Sequence, residues 1–268
     1  MHTATSSASQ YLIRFPEKIV ACSQYALARL GVDRSRCLLK VDDFVLLCAP
    51  LQLGFRKAIL MAALSAQELV HFQRYRNGIA GLSMEFALPN RTEPLKLFVR
   101  STIAEIGQMK GRENVGLFIV DYKSTPDDLA VILGSYLEDQ EKLGTQYEDY
   151  GQTLVKMTPE IAKVMGYNQY AVAADPSGNG RIQLFALSTK SIEYLEAASA
   201  RERVPGAQLA YQLFFRKYRM TVQGVVLGSS RLPSGILKTR AALSFSPELV
   251  EIMDDYWFRN RVAARSIG

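Results

Sequence analysis

Apolar and polar positions along the chain follow two periods, and the period changes at recognisable punctuation. SQYALARLGV (23–32) and TPEIAKVMGY (158–167) each open on a hydroxyl residue, carry apolar residues at helical spacing and reach a Gly. This is the pattern of a short helix with an N-cap and a glycine C-cap. STPDDLAVILGSYL (124–137) and FSPELVEIMDDYW (245–257) read hydroxyl, Pro, acid and then an amphipathic run. Pro suits the first helical position, and acids there face the positive end of the helix dipole. LKLFVRSTIAEI, VGLFIVDY, AQLAYQLFF and RMTVQGVVL are rich in β-branched and aromatic residues and often alternate, which predicts strands.

These landmarks recur. Ser23 to Thr158 and Gly31 to Gly166 are each 135 positions apart, while Pro126 to Pro247 and Gly107 to Gly228 are each 121 apart. The chain therefore reads as two tandem copies of one unit: short helix, strands, closing helix. The drop in offset puts about 14 extra residues in the first copy between roughly 60 and 95, most simply around HFQRYRNGIAG. Short strands with turn signals predict a mainly β unit, a small antiparallel barrel or sandwich with flanking helices. The polar stretch EDQEKLGTQYEDYGQ, with two glycines, reads as a linker. The expected domains are 11–143 and 144–265, behind a disordered leader over 1–10.

Composition narrows the chemistry. The 268 residues are 48% hydrophobic and 22% charged, ordinary for a globular protein, and no run of 18 apolar residues marks a membrane span. The net charge of +6 is spread over short clusters, so nucleic-acid binding is only an alternative reading. Cys22, Cys37 and Cys48 lie among apolar neighbours without CxxC spacing, as buried free thiols of a cytoplasmic protein do. With His2 and His71 the only imidazoles, no metal site is expected. No P-loop, GxSxG or dinucleotide fingerprint occurs, and the pairs Asp42-Asp43, Asp127-Asp128 and Asp254-Asp255 read as turn, helix cap and solvated helix face. The chain is expected not to be an enzyme.

The segments ALARLG, LLKVDDF, STPDDLAVILGSYLE, TPEIAKVMGY and SFSPELVEIM give the chain a resemblance to the PilZ family. It resembles the tandem members in which a PilZN-type domain precedes a PilZ domain. The resemblance implies two tandem PilZ-like antiparallel β-barrels, each followed by a closing helix. It also implies cyclic di-GMP as ligand and a place in motility signalling. The family's ligand motif is an RxxxR pair before the first strand and a (D/N)xSxxG stretch some twenty to thirty residues later.

By letters, DPSGNG supplies the second element through Asp175, Ser177 and Gly180, followed by Arg181. Its setting is strand, turn, strand, so it is expected to be a hairpin tip rather than a ligand loop. The matching position is ALSTKS, where Ala186 replaces the acid, Ser188 keeps the hydroxyl and Ser191 replaces Gly. In the first copy it is PLQLGF, with Pro50, Gln52 and Phe55. No arginine lies between Arg112 and Arg181, and the linker offers Tyr147, Glu148, Asp149 and Tyr150, whose carboxylates would repel phosphate. Arg261 and Arg265 spell RxxxR with no barrel after them.

The expectation is thus a non-enzymatic interaction or signalling module with degenerate sites and no cofactor, cyclic di-GMP being disfavoured. A protein partner is expected, a second copy of the chain being one option. A displaced cyclic di-GMP site would need Arg181, Arg201 or Arg203. The nucleic-acid alternative rests on His71, Phe72, Arg74, Tyr75 and Arg76, where basic and aromatic residues alternate, and on RKYR further on. The bland reading of that patch is a loop whose aromatics pack back on the barrel.

Overall fold

The computed structural model describes residues 6–265 except Asn90 and Ser177, with the backbone alone over 261–265. Two compact units divide the chain, Met1–Asp139 and Gln140–Gly268.

The first unit opens with α1 (Ser7–Arg14), β1 (Ile19–Ala21), α2 (Gln24–Leu30) and a 3₁₀ turn (Arg34–Arg36). There follow β2 (Leu38–Val41), β3 (Phe44–Gly54), β4 (Lys57–Ala63), α3 (Ala66–Gln73), β5 (Ile79–Phe86), β6 (Leu95–Gln108) and β7 (Val115–Tyr122). All pairings are antiparallel, in the order β3-β2-β5-β6-β7-β4, and β4 pairs back to β3. Six strands thus close into a barrel, with β1 added outside on β3. Closure gives each of the six barrel strands a neighbour on both sides.

The helix α4 (Asp127–Tyr150) comes next. The second unit then repeats the scheme with β8 (Val155–Lys156), α5 (Pro159–Met165), β9 (Tyr167–Asp175), β10 (Gly178–Leu187) and β11 (Ser191–Glu196). It ends with β12 (Gln208–Phe215), β13 (Arg219–Arg231), β14 (Leu237–Leu243) and α6 (Pro247–Arg265). The barrel order is β10-β9-β12-β13-β14-β11, closed by β10–β11, with β8 outside on β10. Strand for strand this is the first barrel again. The expected architecture, mainly β with flanking helices and two tandem antiparallel barrels each followed by a closing helix, is the one observed.

The caps that carry the repeat are physical. The hydroxyls of Ser23 and Thr158 accept N–H bonds from Ala26 and Ile161, at 3.1 and 3.3 Å. Gly31 and Gly166 take left-handed conformations with φ of 72° and 71°. A Cβ on Gly31 would stand 2.3 Å from the Ala87 carbonyl oxygen, so no other residue fits there without a shift. Ser246 caps α6 by accepting the Leu249 N–H at 3.3 Å. Its counterpart Thr125 donates its hydroxyl to the Phe55 carbonyl instead, tying the start of α4 to the barrel.

Each unit has its own core. Leu39, Leu53, Leu60, Leu82 and Phe118 fill the first, closed by Leu129 and Leu133 of α4. Leu187, Ile192, Tyr194, Tyr211 and Leu213 fill the second, closed by Leu249 and Met253 of α6. Burying such a side chain contributes about 1.5–3 kcal/mol. Phe258, beyond Met253 on α6, stands 60% exposed.

Three expectations are corrected. The leader over 1–10 is not disordered throughout: Ser7–Gln10 lie in α1, where Tyr11 seats its ring against Gly134 and donates to Glu138. The stretch EDQEKLGTQYEDYGQ holds the boundary between the two units, but as helix rather than loose linker, because α4 runs through it to Tyr150. Its Leu, Glu, Gln and Lys outweigh one interior Gly, which costs about 1 kcal/mol. The surplus of the first copy is also split. Residues 64–78 join β4 to β5 against 197–207 in the second unit, and 87–94 join β5 to β6 against 216–218.

Candidate functional site

β9 and β10 pair from Asp175↔Gly178 to Ala171↔Ile182, so DPSGNG is the tip of a hairpin, and Ser177 lies outside the described residues. The Asp175 carboxylate accepts the Gly178 N–H at 3.1 Å and binds Arg203 Nη1 at 2.5 Å. Arg203 Nη2 donates to Glu196 at 3.0 Å. A Cβ on Gly180 would meet Arg203 first, at 3.7 Å. Burial works against the charge of Arg203, but Glu196 and then Asp175 outweigh it and raise its pKa above the ordinary value. Asp175 thus already holds an internal cation. Arg181 points elsewhere, its guanidinium 5.5 Å from the centre of the Tyr170 ring.

The stretch ALSTKS falls at the end of β10 and the turn into β11. Ala186 is buried and paired with Lys156 and Glu193, so this position has no acid to offer. Ser188 is fully buried; its hydroxyl accepts the N–H groups of Ser191 and Lys190 at 3.0 and 3.3 Å. Thr189, equally buried, donates to the Tyr147 carbonyl at 2.7 Å. Lys190 pairs with the Glu148 carboxylate and lies 5.3 Å from the centre of the Tyr147 ring. The Tyr147 hydroxyl donates to the Leu243 carbonyl at 3.1 Å, while the Leu243 N–H donates to the Lys190 carbonyl at 2.7 Å. Burial raises the pKa of Tyr147, against the pull of Lys190. A Cβ on Gly151 would strike the Lys190 side chain at 2.5 Å.

The last turn of α4 therefore closes over the 188–191 turn. The Glu148 carboxylate and the Tyr147 ring lie against the side chain of Lys190 in that turn. In the first unit, Pro50 and Gln52 flank a bulge in the β3–β4 pairing, and Phe55, in the short turn between these strands, is buried in the core.

HFQRYRNG forms the end of α3 and the turn after it. α3 opens on a capping box between Ser65 and Glu68. The rings of His71, Phe72 and Tyr75 pack on Phe44 at 5.2, 5.4 and 6.3 Å, and Phe72 reaches Phe118 at 6.1 Å. His71 Nε2 is buried without a hydrogen-bond partner. Arg74 and Arg76 stay outside, and Arg76 leans on the Ala104 carbonyl at 3.4 Å. The aromatics cover the barrel while the arginines face water, so they do not line one groove together.

Sequence reasoning named Arg203 without its partners and did not identify Glu196, Thr189 or Lys190. A signal existed for Glu196 alone. It stands at an inward position of the alternating strand SIEYLE, where an acid requires a buried cation. Among the described residues no cluster of His, Cys, Asp and Glu suits a metal ion, and no helix is long and apolar enough to cross a membrane. The acid pairs do not converge: Asp42 and Asp43 form the β2–β3 turn, Asp127 and Asp128 open α4, and Asp254 accepts from Tyr150 at 2.5 Å.

A six-stranded antiparallel barrel with a strand added outside and a closing helix, built twice, defines a tandem PilZ-like fold. Among solved structures, the chain is similar to PlzA of Borreliella burgdorferi in complex with c-di-GMP. Identity is 11% over 93% of this chain and 97% of that one, with a TM-score of 0.47. It is similar also to YcgR of Escherichia coli in complex with c-di-GMP (12%, 90% and 91%, TM-score 0.29). A third is the MrkH–c-di-GMP complex of K. pneumonia (9%, 94% and 99%, TM-score 0.33). No family model and no curated protein matches the sequence.

Proposed function

We propose that this protein is a non-enzymatic, cytoplasmic PilZ-like module that does not take cyclic di-GMP by the usual motif and acts by contact with a protein partner. The observation that carries the reading is the closure of the 188–191 turn by its own chain. Thr189 is bonded to Tyr147 and Lys190 is paired with Glu148, where the family resemblance calls for arginines. A nucleotide entering there would have to displace these contacts and meet the carboxylate of Glu148, which repels phosphate. The link to motility is an expectation from the family resemblance.

The displaced-site alternative is disfavoured because Arg203 is already held by Asp175 and Glu196. The nucleic-acid alternative is disfavoured because His71, Phe72 and Tyr75 pack against Phe44 rather than offering stacking faces. One thermal-shift series separates the three readings: the full chain with cyclic di-GMP, with other nucleotides, and with single-stranded DNA at low salt. The expected result is an unchanged melting temperature throughout. A shift that saturates with cyclic di-GMP, or one with DNA that fades as salt rises, would overturn the proposal.

A further inference from the structure

The outward side of the first barrel is not patterned as a solvent face. A sheet with one face in water ordinarily alternates apolar inside with polar outside. Across β3, β2, β5 and β6, one outward row is Val45, Lys40, Gly81 and Arg100. The next is Leu47, Leu38, Ser83 and Phe98. Val45 is 59% exposed, Leu47 60%, Phe98 63%, and Ile79 on the adjoining part of β5 63%. These four are not displaced core residues, since the inward positions of the same strands are filled by Leu39, Val41, Leu82 and Val99.

Gly81 makes the surface what it is. A Cβ there would stand 2.6 Å from the Phe98 ring, so the ring lies down across the strand beside it. The result is a shallow groove of about 680 Å³ bordered by Lys40, Tyr75, Ile79, Phe98 and Arg100, with Asp42 at its end. The second barrel is patterned differently, with the exposed apolar side chains Tyr170, Val225 and Leu227 lying outside the matching row. Its matching row on β10, β9, β12 and β13 is Arg181, Val172, Gln212 and Thr221, and the one apolar member, Val172, is only 8% exposed.

Charge selects the occupant. The exposed outward charges between the apolar side chains are Lys40, Lys96 and Arg100. Of the acids at outward positions of these strands, Glu85 lies 3.9 Å from Lys96 and Glu105 stands past the β6 bulge, away from Phe98 and Arg100, while Asp42 and Asp43 sit in the turn at one end. A second copy applying the same face would bring Lys40 and Arg100 against their like. An apolar patch flanked by Lys40 and Arg100, neither of which has an ion pair among the described residues, fits a protein segment of the opposite sign.

We infer that this face of the first barrel docks a partner-protein segment that presents apolar side chains flanked by Asp or Glu. The inference rests on the interaction-module reading and gives it a place. Val45, Leu47 and Phe98 supply the dry centre, and Lys40 and Arg100 fix the register.

The test places a photo-crosslinking amino acid in the full chain at Leu47, at Phe98, or at the exposed control Thr221, in cells of the source organism. The crosslinked peptides are then sequenced by mass spectrometry. The expected result is one protein captured from both Leu47 and Phe98, through a segment with apolar residues beside acids, and not from Thr221. Lys40→Glu with Arg100→Glu should lower the yield at Leu47 at least tenfold. Both are exposed positions, and the Phe98 crosslink in the unaltered background reads the proposal independently of them. Capture of the chain itself, capture of lipid, or capture indifferent to the charge reversal would overturn it. A protein captured only from Thr221 removes this surface and leaves the interaction reading standing; no protein from any position removes both.

Discussion

At the scale of single residues, the second unit keeps two carboxylates on one guanidinium. Asp175 and Glu196 share Arg203, with side-chain exposures of 18%, 6% and 21%. Removing the cation leaves two acids without their charge partner in a poorly solvated place, which costs about 3 kcal/mol. Arg203→Met should therefore lower the urea midpoint of the second unit markedly, whereas Lys190→Met, which breaks a more exposed pair, should cost about 1 kcal/mol or less. Equal effects would mean that the triad is not the fastening it looks like.

The thiols give a second residue-scale prediction. Burial pushes Cys22, Cys37 and Cys48 from 9.0 up to about 12, so in the folded chain they stay protonated where the unfolded chain ionises. Their folded pKa is raised. The stability they contribute is complete below pH 9 and is lost as pH rises toward 12. By pH 10 the loss is about 1 kcal/mol per thiol. Unfolding curves of the first unit from pH 8 to 11 should show that decline, and a triple Cys→Ala variant should flatten it.

At the scale of elements, α1 depends on one glycine. A Cβ on Gly134 would stand 2.1 Å from the Tyr11 ring, with Tyr11 and Arg14 both bonded to Glu138 close by. Gly134→Ala improves the helix propensity of α4 by about 1 kcal/mol, yet should unseat α1. Limited proteolysis near Arg14 should then accelerate while α4 stays intact. Ser246→Ala removes the cap of α6 and should cost about 1 kcal/mol.

Elements were legible in the sequence where local chemistry decides them. The Ser23 and Thr158 caps, the Gly31 and Gly166 stops and the constant offsets between them read directly as two copies of one unit. The reach of α4 through Gly144 was not legible, because a glycine and a run of polar residues look the same in a linker and on an exposed helix. Thr125 misled for a similar reason: a hydroxyl before Pro-Asp reads as a cap, and only the fold brings the Phe55 carbonyl within its reach.

At the scale of the whole molecule, the repeat and the strand pattern made two mainly β units legible but left barrel or sandwich open, and it was the family resemblance that implied barrels. The candidate site was legible only by subtraction. The sequence lacks arginines between Arg112 and Arg181 and carries Ala186 where an acid was sought. What stands there instead required the fold, because Tyr147 and Glu148 are some forty positions from Thr189 and Lys190. No local pattern joins them. The exposed Val45, Leu47 and Phe98 were hidden for the opposite reason: in LLKVDDFVLLC and LKLFVRS they read as ordinary strand residues, and only the register turns them outward together.

The central claim is that the chain has closed its own nucleotide site. Calorimetric titration of the full chain with cyclic di-GMP at physiological salt tests it most directly. The account predicts no heat beyond dilution for the wild type up to millimolar ligand. Saturable binding in the micromolar range, weakened by substitution of Arg203 or Arg181, would contradict it and return DPSGNG to the place of a ligand loop.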